Sequence, residues 1–261
     1  MARSTFYYYL KRLSEPDKYQ EEKDLIKQIF HANKGRYGYR RIWMELRREG
    51  FLINHKTVRK LMTIVGVKCM VRAKKYHSYK GEAGKIAPNL LQRNFHANWM
   101  NQKWVTDVTV FSLLGEKYYL SPIMDLFNRE IISYSIASRP TFSLVTDMIR
   151  KAFVKIPDST DLILHSDQGW HYQMKQYQFL LQQKGIRQSM SNKGNCLDNA
   201  VMENFFGLLK SELLYLRKFN STQEFLEELE NYIDYYNNIR IKGKLKGLSP
   251  VEYRTQSLFC P

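Results

Sequence analysis

Apolar residues recur at helical spacing through the first quarter of the chain. Between Glu21 and Ala32, Leu25, Ile26 and Ile29 share one side, and Gly35 follows as a stop. Tyr39 to Glu49 repeats the pattern with Ile42, Trp43 and Leu46 inward, and Gly50 stands where a left-handed C-terminal cap belongs. Asn54 is placed to cap a third helix, His55 to Val65, whose inner face is Val58, Leu61, Met62 and Val65. Three short helices with a tight turn before the third predict a helix-turn-helix. Periodicity then fades between Lys68 and Asn98.

From Trp104 the pattern changes to runs of β-branched and aromatic residues. Trp104–Phe111, Lys117–Asp125 and Glu130–Ala137 read as strands, with Gly115 and Asn128-Arg129 as the turns. A helix from Thr141 to Val154, a strand from Leu162 to His165, a helix from Tyr172 to Gln183, a strand from Ile186 to Met190 and a helix from Asn199 to Leu214 follow, the last with Asp198 as its cap. The order βββαβαβα is that of a ribonuclease H-like α/β core, a mixed sheet with flanking helices, here preceded by an all-α helix-turn-helix domain. The expected divisions are a helical DNA-binding region over 1–67, a basic linker over 68–98, the core over 99–218 and a C-terminal helical tail over 219–261.

Charge sharpens this division. The 261 residues carry 41 Lys and Arg against 25 Asp and Glu, a net +16, of which residues 1–98 hold +14 and the remainder only +2. Such an excess suits a polyanion. Arg40, Arg41, Arg47 and Arg48 decorate the second helix, and His55, Lys56, Arg59 and Lys60 the outer side of the third. A recognition helix with flanking phosphate contacts uses such residues, whereas a solvated basic face on a helical bundle is the plain alternative; the local charge favours DNA. The segment 68–98 fits both an arm along a phosphate backbone and a solubilising spacer. Cys69, Cys196 and Cys260 are odd in number and lack metal-ligand spacing, so they are read as free thiols in a reducing compartment. No apolar run approaches the roughly 18 residues of a membrane span, and the opening MARSTFYYYLKR lacks the apolar stretch of a signal peptide. The expectation is a soluble cytoplasmic protein with no membrane partner.

Three acids stand where a carboxylate is costly or well presented. Asp107 interrupts an apolar strand, Asp167 ends another and leads into Gln168-Gly169, and Glu203 lies early in a helix. Asn199, Glu203 and Lys210 fall at i, i+4 and i+11 and share a helical side. Oxygen ligands from two strands and a helix can hold a pair of Mg²⁺ or Mn²⁺ ions for an in-line displacement at phosphorus. Taken singly, an Asp at a strand end is commonly a turn residue and a Glu on a helix commonly solvated. His165 and His171 flank Asp167 but lack further zinc ligands, leaving substrate contact or packing. Lys193, in the run Ser191–Asn195, touches DNA or sits in an ordinary turn, and Tyr232, Tyr235 and Tyr236 have the spacing of core or subunit contacts.

The motifs WVTDVTVF, DLFNREIISYSI, LHSDQGWHY and SMSNKGNCLDNAVMENFFGLLKSEL together resemble those of a DDE transposase of bacterial insertion sequences. The likeness is to the second-frame (OrfB) type, whose catalytic core is similar to retroviral integrases. It runs from about His31 to Arg254, and 35 residues separate Asp167 from Glu203, as the family pattern asks. The resemblance implies that Asp107, Asp167 and Glu203 form a metal-binding catalytic triad, with Mg²⁺ or Mn²⁺ as cofactor, two per site. It also implies that Lys210 contacts transposon-end DNA. His165, Gln168, Lys193 and Asn199 join the candidate DNA contacts around the acids, alongside His55, Lys56, Arg59, Lys60, Arg40 and Arg41. The implied activity is recognition of transposon ends, nicking to free a 3′-OH and strand transfer into target duplex. Implied partners are double-stranded DNA, further copies of the chain on DNA and a first-frame (OrfA) product, in the bacterial cytoplasm and at the nucleoid. Two rivals are a ribonuclease H-fold nuclease without strand transfer and a catalytically idle DNA-binding regulator derived from a transposase.

Overall fold

The computed structural model describes residues 3–7, 17–71 and 86–259, which fall into two compact units divided after Val71. In the first unit, α1 (Gln20–Ala32), α2 (Tyr39–Arg48) and α3 (His55–Ile64) bury Ile26, Phe30, Tyr37, Ile42, Leu46, Val58, Leu61 and Met62. The turn between α2 and α3 is built as its residues require. Gly50 takes φ 91°, and the Phe51 N–H returns to Leu46 O at 2.9 Å, satisfying a carbonyl that the helix end would leave bare. Trp43 is half-buried rather than inward, because its Nε1 donates to Ile53 O at 2.7 Å and ties α2 to the turn. Asn54 caps α3 through its Oδ1, which accepts the Lys56 N–H at 2.8 Å. The N-terminal region is helical and HTH-like, as the periodicity predicts.

The second unit is a six-stranded mixed sheet with helices on both faces. Its strands are β1 (Lys103–Thr106), β2 (Thr109–Leu113), β3 (Glu116–Asp125), β4 (Ile131–Ala137), β5 (Ile163–Ser166) and β6 (Arg187–Met190). β3 is antiparallel to β4 on one side and to β1 and β2 on the other, while β1, β5 and β6 run parallel. Side chains alternate between two cores. Trp104, Ile123, Ile132 and Leu164 face α4 (Phe142–Phe153) and α6 (Lys175–Gln183), whereas Val105, Met124, Ile131 and Ile163 face α7 (Ala200–Leu209) and α8 (Thr222–Asn238). The short helix α5 (Trp170–Gln173) precedes α6, and α9 (Pro250–Phe259) closes the described chain.

Three expectations are corrected. The strand predicted over Trp104–Phe111 is two strands in one line: Thr106 faces Ile123 and Thr109 faces Leu120, so the register runs on across a gap at Asp107 and Val108. The gap opens because the Asp107 carboxyl itself takes the Val108 N–H, at 2.7 Å, in place of a ladder carbonyl. The linker drawn over 68–98 is, from 86 onward, part of the second unit. Leu91 and Ala97 are buried in its core, Leu90 N–H donates to Ser189 Oγ at 2.9 Å, and Pro88 O accepts from Met190 N at 3.4 Å along the outer side of β6. Its basic residues from Arg72 to Lys85 lie outside the described residues. The tail drawn from 219 onward is a helical layer of the core, since Phe225, Leu229, Tyr232, Ile233 and Tyr236 of α8 pack beneath the sheet.

The outer edge of β4 is blunted by side chains. Asn237 pairs with both N–H and C=O of Ile131, and the ammonium groups of Lys151 and Lys155 donate to Tyr134 O and Ile132 O. Lysines so placed discourage strand addition from another chain.

Candidate active site

β1 and β5 are parallel neighbours, with Lys103, Trp104 and Val105 opposite Ile163, Leu164 and His165. Extending that register by two residues sets Asp107 opposite Asp167, one step beyond each strand's C-terminal end. Here β5 ends and β1 breaks its ladder before continuing as β2, and room opens for a ligand. Asp167 is fixed by the Gly169 N–H, which donates to its Oδ1 at 2.9 Å. A Cβ on Gly169 would stand 2.9 Å from that same oxygen, so a larger residue there displaces the Asp167 carboxylate.

Glu203 is brought to the pair by α7. Asn199, just before the helix, donates its Nδ2 to Thr106 O at 3.3 Å and pins the helix start beside β1. Lys210 follows α7 at the opening of a π-helical turn (Lys210–Leu214), its Nζ 5.7 Å from the centre of the Phe111 ring on β2. Burial and then the nearby Asp167 charge push the Asp107 carboxyl well above the usual carboxylate range; Glu203 adds to this and Lys210 opposes it. Burial likewise raises Asp167. Burial lowers the Lys210 ammonium while Asp107 holds it up. Asp167, Glu203 and Lys210 therefore all act on Asp107.

Oxygen atoms dominate the surroundings. The buried Asn199 Oδ1 has no hydrogen-bond partner, and the Tyr172 hydroxyl is held protonated by burial and the two Asp charges. Buried His171 adjoins Asp167, with its Nε2 3.0 Å from Pro140 O, while the three carboxylates and the unpartnered amide oxygen are oxygen donors of the kind that suit a hard divalent cation. Among the described residues, no group of three or more His, Cys, Asp or Glu is drawn together at metal-holding spacing.

The remaining candidates separate by exposure. Lys193 is exposed, and Gln168 is half-buried with its Nε2 on Ser191 O at 2.9 Å. His165 is fully buried, its Nδ1 2.8 Å from Ser189 Oγ and its Nε2 3.0 Å from Asp198 O, so it is a packing residue and not a DNA contact. Asn199 is also buried, its amide on the Thr106 carbonyl beside Asp107, and has no open surface for DNA. Asp198 does not cap α7; its carboxylate instead accepts from Asn192 N, Arg93 and Asn89. In the first unit, Arg40, His55, Lys56, Arg59 and Lys60 are exposed and Arg41 half-buried. Tyr39 lies among them, stacked on His55 at 6.1 Å with the Arg40 and Arg59 guanidinium groups 5.7 and 6.0 Å from its ring centre. Cys69 is a free thiol, and Cys260 lies outside the described residues.

Residues 97–196 and 203–258 match models of the integrase core domain, and residues 18–75 match an HTH-like domain. The chain is 55% identical over 257 residues to the putative transposase InsK for insertion sequence element IS150 of Escherichia coli, covering 98% of this chain and 91% of that protein. The chain belongs to the insertion-sequence transposases. The transposase InsF for insertion sequence IS3A of Escherichia coli is 32% identical over 265 residues, with coverage of 99% and 92%. Among solved structures, the HTLV-2 integrase catalytic core domain in complex with magnesium covers 61% of this transposase and 99% of its own chain, at TM-score 0.47 and 18% identity.

Sequence reasoning missed the roles of Gly169, Tyr172 and Asp198. Gly169 was visible only as a loop glycine next to an Asp. Asp198 was read as a helix cap, and its contacts with Arg93 and Asn89, like that of Tyr172 with Asp107, join residues distant in the chain.

Proposed function

We propose that this transposase binds the ends of its element and carries out divalent-metal-dependent phosphodiester cleavage and strand transfer at Asp107, Asp167 and Glu203. The observation that carries the reading is the meeting of Asp107 and Asp167 at paired ends of adjacent parallel strands, with Glu203 delivered beside them. The three carboxylates would hold two Mg²⁺ or Mn²⁺ ions, which when bound activate the attacking oxygen and stabilise the leaving one. Asn199 holds the start of α7 against β1, and Gly169 aims the Asp167 carboxylate. Lys210, with Gln168 and Lys193, lies where it would meet the phosphates of a bound end. Arg40, Arg41, His55, Lys56, Arg59 and Lys60 would grip duplex DNA through the HTH-like unit. The chain acts as a self-associated assembly pairing two ends, with a first-frame product as a further partner, in the bacterial cytoplasm at the nucleoid.

The test uses a labelled end fragment, Mg²⁺ and a target plasmid. Asp167→Asn should abolish nicking and joining while DNA retention persists; unchanged cleavage by that variant would overturn the site. Cut ends that never join would assign the chain to nucleases, and retention without any cleavage by the parent protein would leave only a regulator.

A further inference from the structure

The turn that delivers Glu203 is tied down from three directions. Residues Cys196–Asn199 form a 3-10 turn immediately before α7. One tie runs to β1, from Asn199 to Thr106 O. A second runs to β5, where the His165 ring meets the Asp198 carbonyl. The third is the Asp198 side chain. Its carboxylate is 2% exposed and accepts from Arg93 Nε at 3.0 Å, Asn89 Nδ2 at 3.0 Å and Asn192 N at 2.9 Å. These donors come from the segment along β6 and from the loop that follows β6, so one buried anion joins three parts of the chain.

Burying an ion is expensive, and much of the Coulomb gain is lost to desolvation. An apolar residue would seal this position at lower cost. An anion with three directed hydrogen bonds does what an apolar residue cannot, which is to fix orientation. Glu203 lies five residues on, just over one helical turn, so a pivot at Asp198 moves its carboxylate directly.

We propose that Asp198, held by Arg93, Asn89 and Asn192, is a positioning residue that sets where Glu203 meets the two aspartates. The inference rests on the reading of Asp107, Asp167 and Glu203 as the cation-holding acids. Groups that orient ligands in this way commonly change metal affinity or activity by about 10- to 100-fold when removed.

The test titrates Mn²⁺ against the full-length chain in two ways: cleavage of a labelled end fragment, and the shift in unfolding temperature without DNA. Asp198→Asn and Arg93→Ala should each raise the half-maximal Mn²⁺ concentration about tenfold or more in both readouts. DNA retention should be unchanged, and Arg93→Lys should restore most of the loss. Arg93 is half-exposed, so its variants keep the test open if Asp198→Asn fails to fold. A Mn²⁺ requirement equal to the parent's, however far stability falls, would overturn the positioning role. Glu203→Gln separates the two claims: if it still cuts, the site reading fails. If it is inactive while Asp198→Asn and Arg93→Ala keep the parent's Mn²⁺ requirement, only the positioning role fails.

Discussion

Asp107 occupies a strand position at the sheet's expense. Its carboxyl diverts the Val108 N–H, and its ionisation is opposed by burial and by Asp167. Because the folded group titrates above its unfolded value, ionising it costs stability as pH rises from the unfolded value through the folded one. In metal-free buffer at pH 7, Asp107→Asn should therefore resist urea better than the parent, and that advantage should vanish below about pH 4. A parent at least as stable as the variant at neutral pH would contradict this. Gly169→Ala is the complementary case. The added methyl meets the Asp167 Oδ1 at 2.9 Å and the buried Tyr172 ring at 3.3 Å, so the ring must give slightly, stability should fall modestly, and the Asp167 carboxylate must shift. A displacement near 1 Å can cost about 100-fold in rate, which a single-turnover cleavage assay would detect. The acids were legible in sequence because each is a polar interruption at a strand end or on a helix. The roles of Gly169 and Asp198 were not, because one depends on how the turn folds back onto the Asp167 oxygen and the other on Asn89 and Arg93, more than a hundred residues away.

Helices and strands were legible to the extent that one buried face imposes a period. The three helices of the first unit and α4 follow their apolar spacing closely, and the runs of β-branched and aromatic residues fold as β3 and β4 between the two cores. Irregular pieces escaped. The helix expected through Leu214 gives way at Lys210 to a π-helical turn, which ends in a bidentate ion pair. Arg240 Nε and Nη2 donate to Glu212 at 2.8 and 2.6 Å, and Tyr232 OH donates to the same carboxylate at 3.0 Å. No local pattern announces a pair 28 residues apart. Both side chains are buried, so removing one strands the other. Arg240→Met alone should destabilise the protein by about 3–5 kcal/mol, and pairing it with Glu212→Leu should recover much of the loss. Denaturant midpoints for the two single variants and the double variant decide this; additive losses would argue against the pair acting as a unit.

Across the whole molecule, positive charge is concentrated away from the three acids. The first 98 residues hold +14 of the +16, while the acids lie in the nearly neutral remainder. Binding of end fragments should therefore fall steeply with salt, and alanine at Arg59 or Lys60 should each flatten the log–log slope by about one unit. Equal slopes for parent and variants would remove these residues from the DNA face. The domain boundary, in contrast, was drawn too late in the chain because residues 86–98 show no helical or strand periodicity although their backbone packs along β6.

That displaced boundary decides how the protein can be cut into pieces. A fragment started at residue 99 would discard Leu91 and Ala97 from its own interior and uncover the flank of β6. It would also lose Asn89 and Arg93, two of the three partners of Asp198. One started at 86 keeps all of them. An excised sheet half should thus express as a well-behaved monomer or as an aggregate according to a dozen residues that resemble nothing more than a spacer.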